Sequence, residues 1–165
     1  MRDVVILGAG ELGGTLAHIL ARADTAATVR LIDDAGQVAA GKALDIMQAA
    51  PIEQFATRVT GHGDLAAPMA AHVIVIADRM RGGEWLGNDA LLMLKSLRRV
   101  AAQSVVMCAG AAQREVVERG VMELGYLRQR LMGTAPEALA AALRAIVAIE
   151  TDGSPRDVAL TVLGI

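Results

Sequence analysis

Gly8-Ala9-Gly10-Glu11-Leu12-Gly13-Gly14 decides how the rest of this chain is read. It follows Asp3-Val4-Val5-Ile6-Leu7, an apolar run that reads as a buried strand, and it opens a run of helical period at Leu12, Leu16, Ile19 and Leu20. Strand, glycine turn and helix together form the setting in which G-x-G-x-x-G means more than a chance match. Gly8 is expected to permit the tight turn, Gly10 to let backbone approach a pyrophosphate, and Gly13 to let the helix lie close on the strand. The unpaired N–H groups of the new helix, from Glu11 and Leu12 onward, would then face phosphate oxygens. A plain strand-to-helix turn in a glycine-rich chain needs the same residues, so the remaining sequence has to decide.

The next strand decides in favour of a nucleotide. Thr28-Val29-Arg30-Leu31-Ile32-Asp33 is a second apolar run ending in an acid. Asp33 follows Gly13 at the spacing of about 20 residues at which a carboxylate receives the ribose hydroxyls of NAD. A carboxylate there would repel a 2′-phosphate, which favours NAD over NADP. The plainer alternative is that Asp33 ends a strand or begins a turn with Asp34.

Bulk composition narrows the class. A length of 165 residues suits one domain with a real core. Hydrophobic residues make up 54% and aromatics only 2%, so Ala, Val, Leu, Ile and Met must build that core, and subunit contacts are expected to contribute to stability. A net charge of −2 with scattered Lys and Arg offers no basic stripe for nucleic acid. No run approaches the roughly 18 apolar residues of a membrane helix, and Asp3 and Glu11 interrupt any signal-peptide pattern. Cys108, the lone cysteine, sits in an apolar run and reads as a buried thiol in a reducing compartment, hence a cytoplasmic protein.

Farther along, residues 37–50 read as a helix halted by Pro51. Ala39, Ala43, Ile46 and Ala50 form one apolar row, and Ala40, Leu44 and Met47 form another. Two apolar rows imply burial on two sides, core on one and a second copy of the chain on the other. Arg58-Val59-Thr60 is a short strand, and Gly61-His62-Gly63-Asp64 reads as a turn rather than a catalytic His–Asp pair. Residues 72–77 form a strand without alternation, as a doubly covered parallel sheet requires. Its end, Ala77-Asp78, opens the most irregular loop, Asp78 to Gly87, where such sheets bind ligands. Gly82-Gly83 could serve there as a hinge, and Arg79 and Arg81 are either anion-binding or simply solvated. Helices over 88–103, 113–124 and 136–150 alternate with strands over 104–109 and 130–133, and a last strand is expected over 157–163. The order implies an α/β fold, a doubly wound parallel sheet. His18 and His72 read as hydrogen-bonded structural residues, and no spacing suggests a metal.

At this point the chain resembles the lactate/malate dehydrogenase family. The resemblance is carried by residues 8–18, by Gly41-Lys42-Ala43-Leu44-Asp45-Ile46-Met47-Gln48-Ala49-Ala50-Pro51, and by Ser154-Pro155-Arg156-Asp157-Val158. It implies a Rossmann dinucleotide-binding domain over 1–134, with 135–165 resembling the start of the substrate domain. It also implies that Gly8, Gly10, Glu11, Leu12, Gly13, Asp33, Ala77 and Asp78 surround NAD, and that the 37–50 helix meets another subunit. The catalytic positions depart from the pattern. Arg81 matches the first loop arginine, but Gly87 or a neighbour stands at the second. Gly110-Ala111 replaces Asn-Pro, and Leu139 and Ala142 stand where the catalytic Asp and a carboxylate-binding Arg belong. Leu163-Gly164-Ile165 falls where the catalytic His motif should begin.

Three readings follow. The first is an NAD-binding, dehydrogenase-like domain without hydride transfer of its own, in a regulatory or scaffold role. The second is an NAD-dependent oxidoreductase for a small 2-hydroxy acid, acting alone or with a second protein chain. The third is an oligomeric interaction module with an empty groove, pairing through the apolar edge of the 157–165 strand.

Overall fold

The computed structural model describes residues 3–64 and 71–162. In chain order they form β1 (Asp3–Leu7), α1 (Glu11–Arg22), β2 (Thr28–Ile32), α2 (Gly36–Glu53), β3 (Arg58–His62) and β4 (Val73–Ile76). There follow α3 (Gly87–Val100), β5 (Val105–Cys108), α4 (Gln113–Leu124), β6 (Leu131–Gly133), α5 (Ala135–Glu150) and a 3-10 turn at Pro155–Asp157. Among these residues the strands make one parallel sheet in the order β3-β2-β1-β4-β5-β6. The doubly wound parallel sheet expected from the sequence is therefore present. Strand order reverses between β1 and β4, so the carboxyl ends of these neighbours flank the crevice where such folds bind ligands.

The sheet is covered on both faces. Ile6, Val29, Leu31 and Val59 pack with Ala17, Ala21, Ala39, Ala43 and Ile46 of α1 and α2. Val5, Leu7, Ile74, Ile76 and Val106 pack with Met93, Leu94 and Leu97 of α3 and with Val116 of α4. Cys108 lies in this second cluster, where burial pushes its thiol up to about 12.

Three local expectations are corrected, and packing decides which face α1 turns inward. The inward face of α1 is Gly13, Ala17 and Ala21, whereas Leu12 and Ile19 are 39% and 58% exposed. A helix that approaches the sheet this closely has room for small side chains only. Pro51 does not stop α2, which continues to Glu53 and ends with Gln54 in the left-handed region, its N–H donating to Ala50 O. Proline removes one hydrogen bond, which a last turn can forgo. β3 runs on through Gly61 and His62, because β2 offers Leu31 and Ile32 as partners. Gly61 allows that extension, since a Cβ there would overlap the Ala39 carbonyl of α2. Finally, no strand forms over 157–162. The alternating apolar pattern finds no strand beside it, and the segment lies instead along α5, with Arg144 donating to Leu160 O at 3.0 Å. Residues 163–165 lie outside the described residues.

Candidate functional site

The crevice at the β1/β4 boundary is built by backbone first. Gly8, at φ +112°, turns the chain out of β1, and its N–H donates to Ile32 O at 2.8 Å. A Cβ on Gly13 would overlap the Gly8 carbonyl, so only glycine lets α1 begin this close to β1. From α2, Lys42 Nζ donates to Gly10 O at 2.7 Å and fixes the turn from behind.

Asp33 lies beneath the turn rather than out in the crevice. Its Oδ2 accepts from Ala9 N at 2.7 Å and Met80 N at 2.9 Å, while Oδ1 accepts from Ala35 N at 2.9 Å. Only 1% of the residue is exposed. Burial is the largest single influence on its carboxyl and pushes it up. Hydrogen bonds from the Ala9 amide, the Asp34 side chain and the Met80 and Ala35 amides outweigh burial and hold the group below its ordinary range. Asp33 is thus a charged brace joining β2, the glycine turn and the loop after β4.

Asp78 closes the other side. Its main-chain oxygen accepts from Gly10 N at 2.9 Å. Its carboxylate accepts from Glu11 N at 2.9 Å and Gly13 N at 3.0 Å, two of the three amides that open α1, the third being Leu12 N. A Cβ on Gly10 would overlap that carboxylate. Ala77 is buried under the turn, 2% exposed, with its N–H on Leu7 O. Gly8, Gly10, Glu11, Leu12, Gly13, Asp33, Ala77 and Asp78 are therefore brought together at one place.

The loop from Asp78 to Gly87 folds back on itself. Arg79 and Gly83 form an antiparallel bridge, and the Arg79 guanidinium lies 4.5 Å over the Trp85 ring. Arg81 is exposed at the loop's outer end. Sequence reasoning passed over Glu84, whose carboxylate accepts from Ala111 N at 2.8 Å and Ala112 N at 2.7 Å at the start of α4. It also assigned no role to Trp85, which lines a cavity of about 410 Å³ with Leu7, Gly8, Asp33, Arg79 and Met93. Only a strand order placing β4 between β1 and β5 would have signalled either residue. The histidines lie elsewhere: His18 meets Glu53 at 2.9 Å, His62 meets Thr60 at 3.0 Å, and His72 accepts from Asp3 N at 3.2 Å. Among the described residues no group of three or more His, Cys, Asp or Glu side chains is placed to hold a metal ion, and no helix is long and apolar enough to cross a membrane.

The crevice thus combines a G-x-G-x-x-G turn, a cavity and the switch point of the sheet, where such folds bind ligands. The malate dehydrogenase of Salinibacter ruber is 30% identical over 171 residues, which cover 98% of this chain and 54% of that protein. By sequence, the chain is similar to about half of a malate dehydrogenase. The enzyme of Cytophaga hutchinsonii is 32% identical over 98% of this chain and 55% of its own length. The solved Salinibacter ruber structure superposes with a TM-score of 0.83 at 27% identity, over 96% of this chain and 53% of that one. The fold is also shared with lactate dehydrogenase of Cryptosporidium parvum, solved with lactic acid and NAD, at a TM-score of 0.85 and 22% identity over 97% of this chain and 53% of that one. No protein-family model matches the chain. The chain spans about half the length of the malate dehydrogenases it matches.

Proposed function

We propose that the chain is an NAD-binding domain of malate-dehydrogenase type that performs no hydride transfer of its own and serves a regulatory or scaffold role. The observation that carries the binding half is the glycine turn packed against Asp33 beside a 410 Å³ cavity at the switch point. The adenosine half of NAD would enter that cavity. Asp33 and Asp34 line it, and their negative charge disfavours a 2′-phosphate, and NADP with it. Residues 1–134 would bind the dinucleotide, and 135–165 would correspond to the beginning of a substrate-binding half.

Missing chemistry supports the second half of the reading. Hydride transfer to or from the cofactor needs a group to move the hydroxyl proton and cations to hold the substrate carboxylate. Along α5, Leu139 and Ala142 occupy the positions where the family resemblance expects an acid and an arginine, and both are exposed. Neither side chain can orient a base or pair with a carboxylate. Gly110-Ala111 contributes two amides there, and Glu84 already holds one of them.

Absorbance at 340 nm tests this. The purified chain with NAD and malate, or with NADH and oxaloacetate, is expected to show no change above the protein-free blank. Turnover that rises in proportion to protein would overturn the reading and favour the oxidoreductase.

The outer row of α2 supports a homo-oligomer. Leu44 is 58% and Ile52 84% exposed, while Ala39, Ala43 and Ile46 of the same helix are in the core. A second copy of the chain would cover that row.

A further inference from the structure

We propose that Asp78 determines which ligands the groove admits. Its carboxylate is an internal occupant of the diphosphate position, so the groove takes a nucleoside freely and a dinucleotide only by displacing that side chain. The inference rests on the nucleotide reading above and concerns the same groove.

Three observations carry it. Of the three amides at the start of α1 that a helix N-terminus offers to a diphosphate, two, Glu11 N and Gly13 N, already donate to Asp78. The place left free by Gly10, where backbone would meet pyrophosphate, is filled by the same carboxylate. Separately, a residue that lines the neighbouring cavity carries an unmet polar group. Trp85 is 9% exposed, lines both the 410 Å³ cavity and a small void beside Glu84, and its indole N–H has no acceptor among the described residues. The cavity beside the turn is therefore open, with an unsatisfied donor on one of its lining residues, while two of the amides that open α1 are taken by a carboxylate.

The loop geometry holds Asp78 in place. Asp78 sits on α1, the Met80 amide on Asp33 and Glu84 on the start of α4. An incoming diphosphate loses the α1 amides to Asp78, and any partial approach sets like charges within a few ångströms. A nucleoside without phosphates meets neither obstacle.

The test compares NADH with adenosine on the full chain and on Asp78→Gly and Asp78→Asn, by calorimetric titration. Asp78→Gly is expected to bind NADH about 10-fold or more tighter than wild type, as removal of an internal competitor requires. Adenosine affinity should change by less than about 3-fold. Asp78→Asn, similar in size but uncharged, should shift NADH in the same direction by less, and it serves if the glycine variant does not fold. An Asp78 that only caps α1 predicts something else: both variants would lose thermal stability and weaken both ligands alike. That result, or unchanged NADH binding in the variants while wild type binds it, overturns the proposal. NADH binding by the variants alone would uphold the role of Asp78 and remove NAD as the native ligand. Absence of NADH binding in all three proteins would overturn this proposal together with the nucleotide reading.

Discussion

Asp33→Ala is expected to destabilise the protein by about 3 kcal/mol, because charge-assisted hydrogen bonds to buried backbone are expensive to lose. The losses are unequal. Ala9 is fully buried and its N–H has no other acceptor, whereas Met80 is 45% exposed and water can reach its amide. The Ala35 amide also donates to Asp34 Oδ1 at 2.9 Å and keeps that partner. Most of the effect therefore comes from one orphaned donor and from a brace lost between β2 and the glycine turn. For a chain of this size, about 3 kcal/mol lowers the melting temperature by roughly 6–12 °C.

The same substitution carries a pH signature. Hydrogen bonds hold the Asp33 carboxyl below its ordinary value of 3.8 in the folded protein. A group depressed on folding contributes stability above its unfolded value and loses it as the pH falls through the folded one. The gap between wild type and Asp33→Ala should therefore be full at neutral pH and close as the solution is acidified below about 4. Urea midpoints at pH 7 and in acid check it. A gap that stays constant across that range would show that the carboxylate charge is not what braces the turn.

Gly13→Ala is the second large effect. The added methyl would overlap the Gly8 carbonyl, an atom of backbone that cannot rotate away. Overpacking of that kind is expected to destabilise by about 2–3 kcal/mol and to push α1 off β1. The α1 amides then no longer converge on the diphosphate position, so NADH binding should weaken by about 10-fold or more. Gly41→Ala is the internal control, since nothing lies within 4 Å of a Cβ there and the residue is exposed within α2. Helix propensity alone should make that variant more stable by about 0.5–1 kcal/mol. Equal and opposite chemistry is thus read from one substitution at two glycines. Thermal melts of the pair decide it, and a shared sign would contradict the packing described for Gly13.

Much of the fold was legible in sequence because its signals are local. Val73 to Ile76 is apolar without alternation, and only a strand covered on both faces accepts that pattern. The fingerprint glycines announced a positive φ at Gly8 and a close approach at Gly10 and Gly13 that leaves no room for a Cβ. What misled was hydrophobicity taken alone. The helical period of Leu12, Leu16, Ile19 and Leu20 marks α1 but not its inward face, which close approach to the sheet assigns to Gly13, Ala17 and Ala21. Alternation at Val158, Leu160 and Val162 describes a strand that could exist, but a strand also needs an edge to pair with. Asp78 was recognisable as a groove residue from its position after β4. Its seat on α1 was not, because that contact depends on β4 lying beside β1, a fact of topology. Glu84 was missed for the same reason: Ala111 and Ala112, which it holds, lie 27 and 28 residues away in the chain.

Trp85 makes the central claim directly measurable. It is the only tryptophan of the chain and it lines the cavity assigned to the adenosine half of NAD. Its fluorescence should be quenched saturably as NADH is added, with energy transfer to the bound nicotinamide, and NADPH should act at higher concentration or not at all. A Trp85 signal that stays linear, with only the inner-filter loss, up to about 1 mM NADH, a concentration corresponding to about −4 kcal/mol of binding, would contradict the account.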